Sequence, residues 1–356
     1  MINNSTIITL FSSEATEQYI KDIFSVLSLP RGSRFEFRYQ SDYIDPKVIS
    51  IFDNFTAKDT IRAIITFCSD NKSDEKSFYI PIRWVTIDSV EKLSNAYIVG
   101  FYICGYPEYS SDFKNESRSF EGINRNTINF FQNINRSKYA VWGEPLTIVE
   151  TIDSCEREKE NWFEIVSRLT LVSGYEDYYF FRCSSLYSKS VGKNKLKKSK
   201  CKKQGNLFII EYGKSAYIDI EFFSKKYDNK KKRQISVFVD DNKLSKTQGL
   251  KTSLQSRYGS IKLGFQTKKV ATNTITEIVI NTGALDEFQT EIILPVIIVK
   301  KIYKRIFKSL VTAVGALFIA LPAILINLLS AKWNIVFAAI GVLIMAINSF
   351  WDSKGD

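Results

Sequence analysis

Two acidic residues, Asp219 and Glu221, stand two positions apart in a strand-like segment, and Asp241 follows the next such segment. On neighbouring strands these carboxylates could hold Mg²⁺ and orient a water molecule for phosphodiester cleavage. Alternating acids on an exposed strand face give the same pattern, and Asp240-Asp241-Asn242 is an ordinary turn sequence. A metal-dependent nuclease is therefore an alternative and not the leading hypothesis.

Arginine and aromatic residues recur in the first hundred residues. Guanidinium groups beside aromatic faces suit the recognition of phosphate or of a nucleotide. The competing interpretation is a solvated strand face on which Arg38 or Arg83 pairs with Glu36. We predict one ligand- or partner-binding surface, formed by Arg31, Arg34, Arg38, Arg83 and Trp84.

No histidine occurs among the 356 residues. The usual general base near neutral pH, the Ser-His and Cys-His pairs and the commonest metal ligand are thereby excluded. The five cysteines are scattered without a CxxC pair, which argues against a structural zinc site or a disulfide framework. We expect no catalytic residue, no metal and no cofactor, and hence a protein that is not an enzyme.

Short strand-like segments dominate the first three hundred residues. They predict domains that are mainly β or of the α+β class. Residues 1–105 combine one amphipathic helix with alternating strands, which predicts a small α+β domain resembling a half-open barrel. Residues 106–150 have weak periodicity and read as a connector. Eight strand-like segments follow, the first at 165–172, and predict a β-sandwich or barrel over residues 151–299.

The last fifty residues are apolar. Residues 309–330 form an uncharged run of 22 residues, and residues 334–350 form a second one after only three residues. A helix rises 1.5 Å per residue, so the runs would make helices of about 33 and 26 Å against a hydrocarbon core of about 30 Å. The short connection folds the second run back on the first. The sequence therefore predicts a transmembrane helical hairpin at 309–350 and a tail at 351–356.

Positive charge fixes the predicted orientation. The chain has a net charge of +11. Residues 193–203, 225–233 and 300–308 carry +7, +5 and +5, and the rest of the chain is net negative. The third segment precedes the first apolar run, and an excess of Lys and Arg marks the cytoplasmic side. We therefore expect a multi-pass protein of the inner (plasma) membrane with its amino-terminal domains and its carboxyl terminus in the cytoplasm. Contact with anionic lipid is predicted for Lys300, Lys301, Lys304, Arg305 and Lys308.

The other two basic segments are expected to be loops. They are nearly free of aromatic residues, so no tight binding of nucleic acid is expected, and anionic lipid is the second interpretation after a solvated loop. Within the apolar runs, small residues at four-residue spacing permit close helix contact, a proline permits a kink, and amides can bond between helices. The predicted helix-packing residues are Thr312, Ala316, Ala320, Pro322, Asn327 and Asn348.

This order of parts resembles the membrane effectors of prokaryotic antiviral systems, including Argonaute-associated and cyclic-nucleotide-triggered ones. The resemblance lies in the architecture and the last sixty residues, and it implies assembly on a signal, membrane depolarisation and arrest of the host cell. We therefore expect a non-enzymatic, homo-oligomerising effector of anti-phage defence. Its cytosolic part would sense a cognate sensor protein or a nucleotide signal. The alternatives are a membrane-tethered scaffold that recruits a cytosolic partner or nucleic acid, and a membrane-anchored nuclease.

Overall fold

A computed structural model provides the fold, which is mainly β with a few helices, as the sequence predicted. The residues that the structure describes are 6–13, 16–71, 76–107, 140–145, 158–171, 175, 178–191, 196–226, 233–249, 251–268, 270, 272–283, 290–300, 311–321 and 331–352. Residues 1–270 and 274–298 form one compact unit, and residues 271–273 and 299–356 form a second. The domain boundaries predicted at 105, 150 and 299 stay a prediction.

The first 145 residues build a six-stranded sheet in the order β2-β5-β4-β3-β1-β6. Its strands are β1 (Thr6–Ser13), β2 (Arg34–Gln40), β3 (Ile61–Asn71), β4 (Lys76–Lys92), β5 (Ala96–Ile103) and β6 (Val141–Pro145). Only the β1–β3 pair is parallel among the described pairings. The predicted connector therefore contributes an edge strand, β6, which pairs with β1.

Two helices accompany this sheet. Helix α1 (Glu17–Ser28) begins after Thr16, whose hydroxyl accepts a hydrogen bond from the Tyr19 N–H and so satisfies a free backbone donor. Its apolar face is buried, and the Phe24 ring lies 5.3 Å from that of Phe180. Helix α2 (Pro46–Asp53) is capped in the same way by Asp45. Helix α1 therefore packs against the carboxyl-terminal sheets as well as its own.

Residues 178–299 form two further sheets. One has the order β10-β11-β18-β17-β13-β15, and the other has β14-β16-β12-β8-β9 with β7 beside β12. The bounds are β7 (Phe180–Cys183), β8 (Tyr187–Val191), β9 (Leu196–Lys200), β10 (Lys203–Gln204), β11 (Leu207–Glu211), β12 (Ser215–Phe223), β13 (Arg233–Val239), β14 (Leu244–Gln248), β15 (Lys251–Leu254), β16 (Tyr258–Thr267), β17 (Thr274–Gly283) and β18 (Thr290–Val299).

Burial alternates along these strands, as in β12 and β18, and the buried residues of all three sheets belong to one apolar core. Two sheets with a shared core are compatible with the predicted β-sandwich, and residues 178–299 are called the sandwich below. One predicted strand is wrong: residues 165–172 lie largely in helix α3 (Glu158–Leu169). Trp162, Ile165, Val166 and Leu169 are its buried residues. They recur at helical spacing, and this period outweighs the β-branched composition of the segment.

In the second unit, residues 311–321 are helical and helix α4 spans Ala331–Asp352. Within the residues that the structure describes, no helix combines the length and the apolar composition needed to cross a membrane. The predicted tail falls at the end of α4 and beyond it, and residues 353–356 lie outside the described residues.

Candidate functional site

The predicted arginine surface is divided between exposed and buried positions. Arg38 is exposed on β2, whereas Arg34 is half-buried in a network of polar contacts. The Arg34 guanidinium pairs with Glu36, lies 3.2 Å from the Asp88 carboxylate and donates a 2.7 Å hydrogen bond to the Ser89 hydroxyl. The partner of Glu36 is therefore Arg34, and not Arg38 or Arg83.

Arg31 meets the first basic segment through its backbone. Its carbonyl accepts a 3.1 Å hydrogen bond from Lys203 Nζ, which also lies 3.9 Å from the Phe208 ring centroid. Gly32 has φ +78°, and a Cβ there would lie 2.9 Å from the Lys203 ammonium. Burial lowers the pKa of Lys203 to about 8. Lys203 is therefore a packed residue and not part of a solvated loop, and Lys197, Lys198 and Lys200 lie on strand β9.

Arg83 and Trp84 are inside the protein, with 1% and 3% of their surfaces exposed. The Arg83 Nε donates a 2.9 Å hydrogen bond to the Cys104 carbonyl, and its guanidinium carbon lies 3.6 Å from the Tyr106 ring centroid. Its Nη1 has no hydrogen-bond partner among the described residues. Burial lowers the pKa of Arg83, against the opposing effects of Tyr106 and Glu158. The structure therefore does not place these two residues on one exposed surface with Arg34 and Arg38.

Beside Arg83 lies a charged cluster that the sequence analysis missed. Arg182 on β7 places both Nε and Nη2 2.8 Å from Glu221 Oε2 on β12, which faces it in the strand register. Its Nη1 lies 3.6 Å from Glu158 in the first turn of α3. Lys159 Nζ completes the cluster at 3.1 Å from Glu221 Oε1. The cluster therefore ties helix α3 to the sandwich.

Burial and the neighbouring cations shift the pKa of Glu221 in opposite directions. Burial alone would raise the pKa of Glu221, but Arg182 and Lys159 lower it overall. Glu158 Oε1 and the Trp162 indole N–H are buried without a hydrogen-bond partner in the described part of the chain. Glu158 and Trp162 are four residues apart, which puts them on one face of α3. Helical periodicity was the signal that could have placed Glu158 and Trp162 on one face of a helix, whereas Arg182 and Glu221 are brought together by the strand register.

The acids of the nuclease hypothesis are not assembled into a site. Asp219 accepts a 2.8 Å hydrogen bond from the Tyr187 hydroxyl, and Glu221 is held by Arg182. Asp241 is in the β13–β14 turn. The first residue of β14, Leu244, faces Thr267 on β16, which is about 17 Å along that strand from Lys262, the residue that faces Asp219. The predicted neighbouring-strand placement of Asp241 is therefore wrong. No cluster of three His, Cys, Asp or Glu suited to a metal ion occurs in the described residues.

The apolar runs pack against each other through glycine. A Cβ built on Gly341 of α4 would lie 2.8 Å from the Gly315 carbonyl oxygen and 2.6 Å from an Ile319 side-chain carbon. Beside this contact, the Phe318 and Phe337 ring centroids are 6.0 Å apart. The two helical segments thus meet backbone to backbone at Gly315 and Gly341, which are both buried.

Most other described side chains of this hairpin are exposed. Leu317, Ile335, Val342 and Leu343 are 59–70% exposed. Three of the predicted packing residues, Thr312, Ala316 and Ala320, are exposed as well, so their role in helix contact stays a prediction. Pro322, Asn327 and the side chain of Asn348 lie outside the described residues.

The basic segment 300–308 is described only at its first residue. The Lys300 N–H donates a 3.1 Å hydrogen bond to the Asn273 side-chain carbonyl. Lys301, Lys304, Arg305 and Lys308 lie outside the described residues, so their contact with lipid stays a prediction.

Known proteins add no further constraint on the function. No model of a protein family matches the chain, and no curated protein matches it. The functional argument therefore depends on the sequence pattern and on the contacts described above.

Proposed function

We propose that the chain is a non-enzymatic membrane effector. Residues 309–350 insert into the inner membrane as a helical hairpin, and the β-rich unit lies in the cytoplasm. The hairpins of several copies associate when that unit meets its signal, and the assembly depolarises the membrane. We include anti-phage defence in the proposal because the architecture of the chain resembles that of antiviral membrane effectors.

The observation that carries the proposal is the apolar surface of the hairpin. Leu317, Ile335, Val342 and Leu343 are each more than half exposed. Removing a side chain of this size from water contributes about 1.5–3 kcal/mol when it is fully buried. Insertion into lipid takes all four side chains out of water at once, so this free energy is gained for each of them. The uncharged runs extend beyond the described helical residues, and five positive charges precede them.

The hairpin has a contact suited to a lipid environment. Apolar side chains gain little from each other in hydrocarbon, so helices there associate through small residues that let their backbones approach. The Gly315–Gly341 contact is of this kind. The exposed residues Thr312, Ala316 and Ala320 form a second small-residue face, which we assign to contact between copies.

The cytoplasmic unit supplies the sensing surface. Arg34 and Arg38 on β2 lie at an edge of the first sheet, where an anionic signal can reach them. The charged cluster of Glu158, Lys159, Arg182 and Glu221 lies beside Arg83, which is on β4 of that sheet. We assign to this cluster the coupling of the sensing sheet to the strands that lead toward the hairpin.

A potential-sensitive dye tests this function. Induced expression of the full chain together with its activating signal should collapse the membrane potential. A chain that ends at residue 308 should leave the potential intact at equal protein level, because it lacks both apolar runs. A full chain that remains in the membrane without depolarising it would instead support the tethered scaffold. Depolarisation by the truncated chain would contradict pore formation by the hairpin.

A further inference from the structure

One end of the sandwich gathers several turns that are far apart in the sequence. Lys243 in the β13–β14 turn donates a 3.2 Å hydrogen bond from Nζ to the Ile275 carbonyl near the start of β17. The Lys268 N–H donates to the Lys243 carbonyl at 2.8 Å. Gly213, in the turn between β11 and β12, donates its N–H to the Thr267 hydroxyl at the end of β16, also at 2.8 Å. These residues define what we call the exit end of the sandwich.

The exit end is both apolar and basic. Ile275 is 57% exposed and Tyr212 is 39% exposed, and Lys214 and Lys268 are exposed beside them. Strands β8 and β9 also run toward this end, because Ser188 pairs with Ala216 near the start of β12. The strand register of β8 and β9 places three further lysine positions, 189, 197 and 198, toward this end.

Acidic residues do not cancel this charge. Glu211, Asp240 and Asp241 are the acids in the described turns of the exit end, and Glu277 is exposed two residues along β17 from Ile275. Asp240 is neutralised by Lys243, whose Nζ lies 3.0 Å from its carboxylate. The Lys243 contact lowers the pKa of Asp240, so this ion pair is present at neutral pH. The lysines therefore outnumber the acids, and the surface attracts anions.

The chain leaves the sandwich at this same end. Ile275 pairs with Ile297 on β18, and β18 ends at Val299. Nine residues separate Val299 from the first apolar run at residue 309, and these ten steps limit the separation to about 35 Å even for a fully extended chain. Once the hairpin is inserted, the exit end is therefore held close to the bilayer.

We propose that the exit end docks on the anionic surface of the bilayer. Ile275 and Tyr212 enter the interfacial region, and the lysines contact lipid phosphates. This inference rests on the proposed insertion of the hairpin, which supplies the tether. It assigns the β-rich unit a lipid contact of its own, and it states which end of the sandwich faces the membrane.

The opposite end provides a matched control. Tyr258 begins β16, nine residues before Thr267 and so about 30 Å away along the strand. Its side chain is 74% exposed, and the basic residue Arg257 precedes it. Like Ile275, Tyr258 is more than half exposed and has a basic neighbour, and it differs in its distance from the point where the chain leaves the sandwich.

Photo-cross-linking of the full chain tests the docking. Benzoylphenylalanine replaces Ile275, Tyr258 or Leu317 in separate proteins, which are reconstituted into vesicles of equal parts phosphatidylcholine and phosphatidylglycerol. We expect at least about fivefold more lipid cross-links at position 275 than at 258. This excess should be lost in pure phosphatidylcholine vesicles, because the lysines then have no anionic lipid to contact. Position 317 should cross-link in both vesicles.

The outcomes separate this inference from the proposed function. Lipid cross-links at 317 with equal yields at 275 and 258 would overturn the docking and leave hairpin insertion supported. Cross-links from 275 to a second copy of the chain, or an excess that persists without anionic lipid, would also overturn it. If position 317 gives no lipid cross-link, hairpin insertion fails, and the docking fails with it.

Discussion

Gly341→Leu in the full chain is expected to abolish membrane depolarisation. The added side chain would occupy the space in which the Gly341 Cα faces the Gly315 carbonyl oxygen, where even a Cβ would lie only 2.8 Å away. A backbone atom cannot move aside like the end of a flexible side chain, so the two helices must separate. Overpacking of this kind costs about 1–3 kcal/mol, which lowers the population of the packed hairpin by roughly 5- to 150-fold.

Ala339→Leu is the matched control for this substitution. Ala339 is in the same helix and two residues away, but it is exposed in the hairpin. The variant adds a side chain of the same kind to a surface that we assign to lipid. It should depolarise cells as the natural chain does, at equal protein level in the membrane. Equal activity of the Gly341 and Ala339 variants would show that the close helix contact is not required.

Glu221→Gln is expected to lower the free energy of unfolding by about 2 kcal/mol at pH 7, because Arg182 would lose its closest anionic partner while largely buried. The measurement is thermal or denaturant unfolding of the detergent-solubilised chain. Glu277→Gln is the control, since Glu277 is an exposed strand residue. Its effect should stay within about 0.5 kcal/mol.

The cost of Glu221→Gln should depend on pH in a known direction. The folded protein holds the pKa of Glu221 below its ordinary value of 4.5. A carboxylate of this kind stabilises the fold above its unfolded pKa and loses that contribution as the pH falls through the folded value. The difference between the natural chain and the variant should therefore shrink below about pH 4.5. A difference that stays constant into acid would show that the ion pair with Arg182 is not its source.

The sequence predicted the strands of this protein better than its charged sites. Alternation along β2 correctly indicated that Phe37 and Tyr39 are buried and that Glu36 and Arg38 are exposed, because side chains in a strand alternate with a period of two. Helix α3 was predicted as a strand because Ile165, Val166 and Leu169 occur in a run rich in β-branched residues. The helical spacing of Trp162, Ile165, Val166 and Leu169 was the competing signal in the sequence, and these are the residues that the helix buries.

The candidate sites were less accessible to sequence reasoning because long-range packing creates them. Arg83 is on a strand of mixed polarity, and nothing in its neighbourhood predicts that it lies buried against Tyr106. Arg182 and Glu221 are 39 residues apart, and only the β7–β12 register brings them together. The Gly315–Gly341 contact was missed for a similar reason. Small residues occur on several faces of the apolar helices, so their spacing alone does not single out Gly315 and Gly341.

Extraction of membranes at high pH tests the central claim, that residues 309–350 are inserted in a bilayer. Membranes from cells that express the full chain are washed with alkaline carbonate, which releases peripheral proteins and retains integral ones. We expect the full chain in the membrane pellet and a chain ending at residue 308 in the supernatant. Recovery of the full chain in the supernatant, without detergent, would contradict the account.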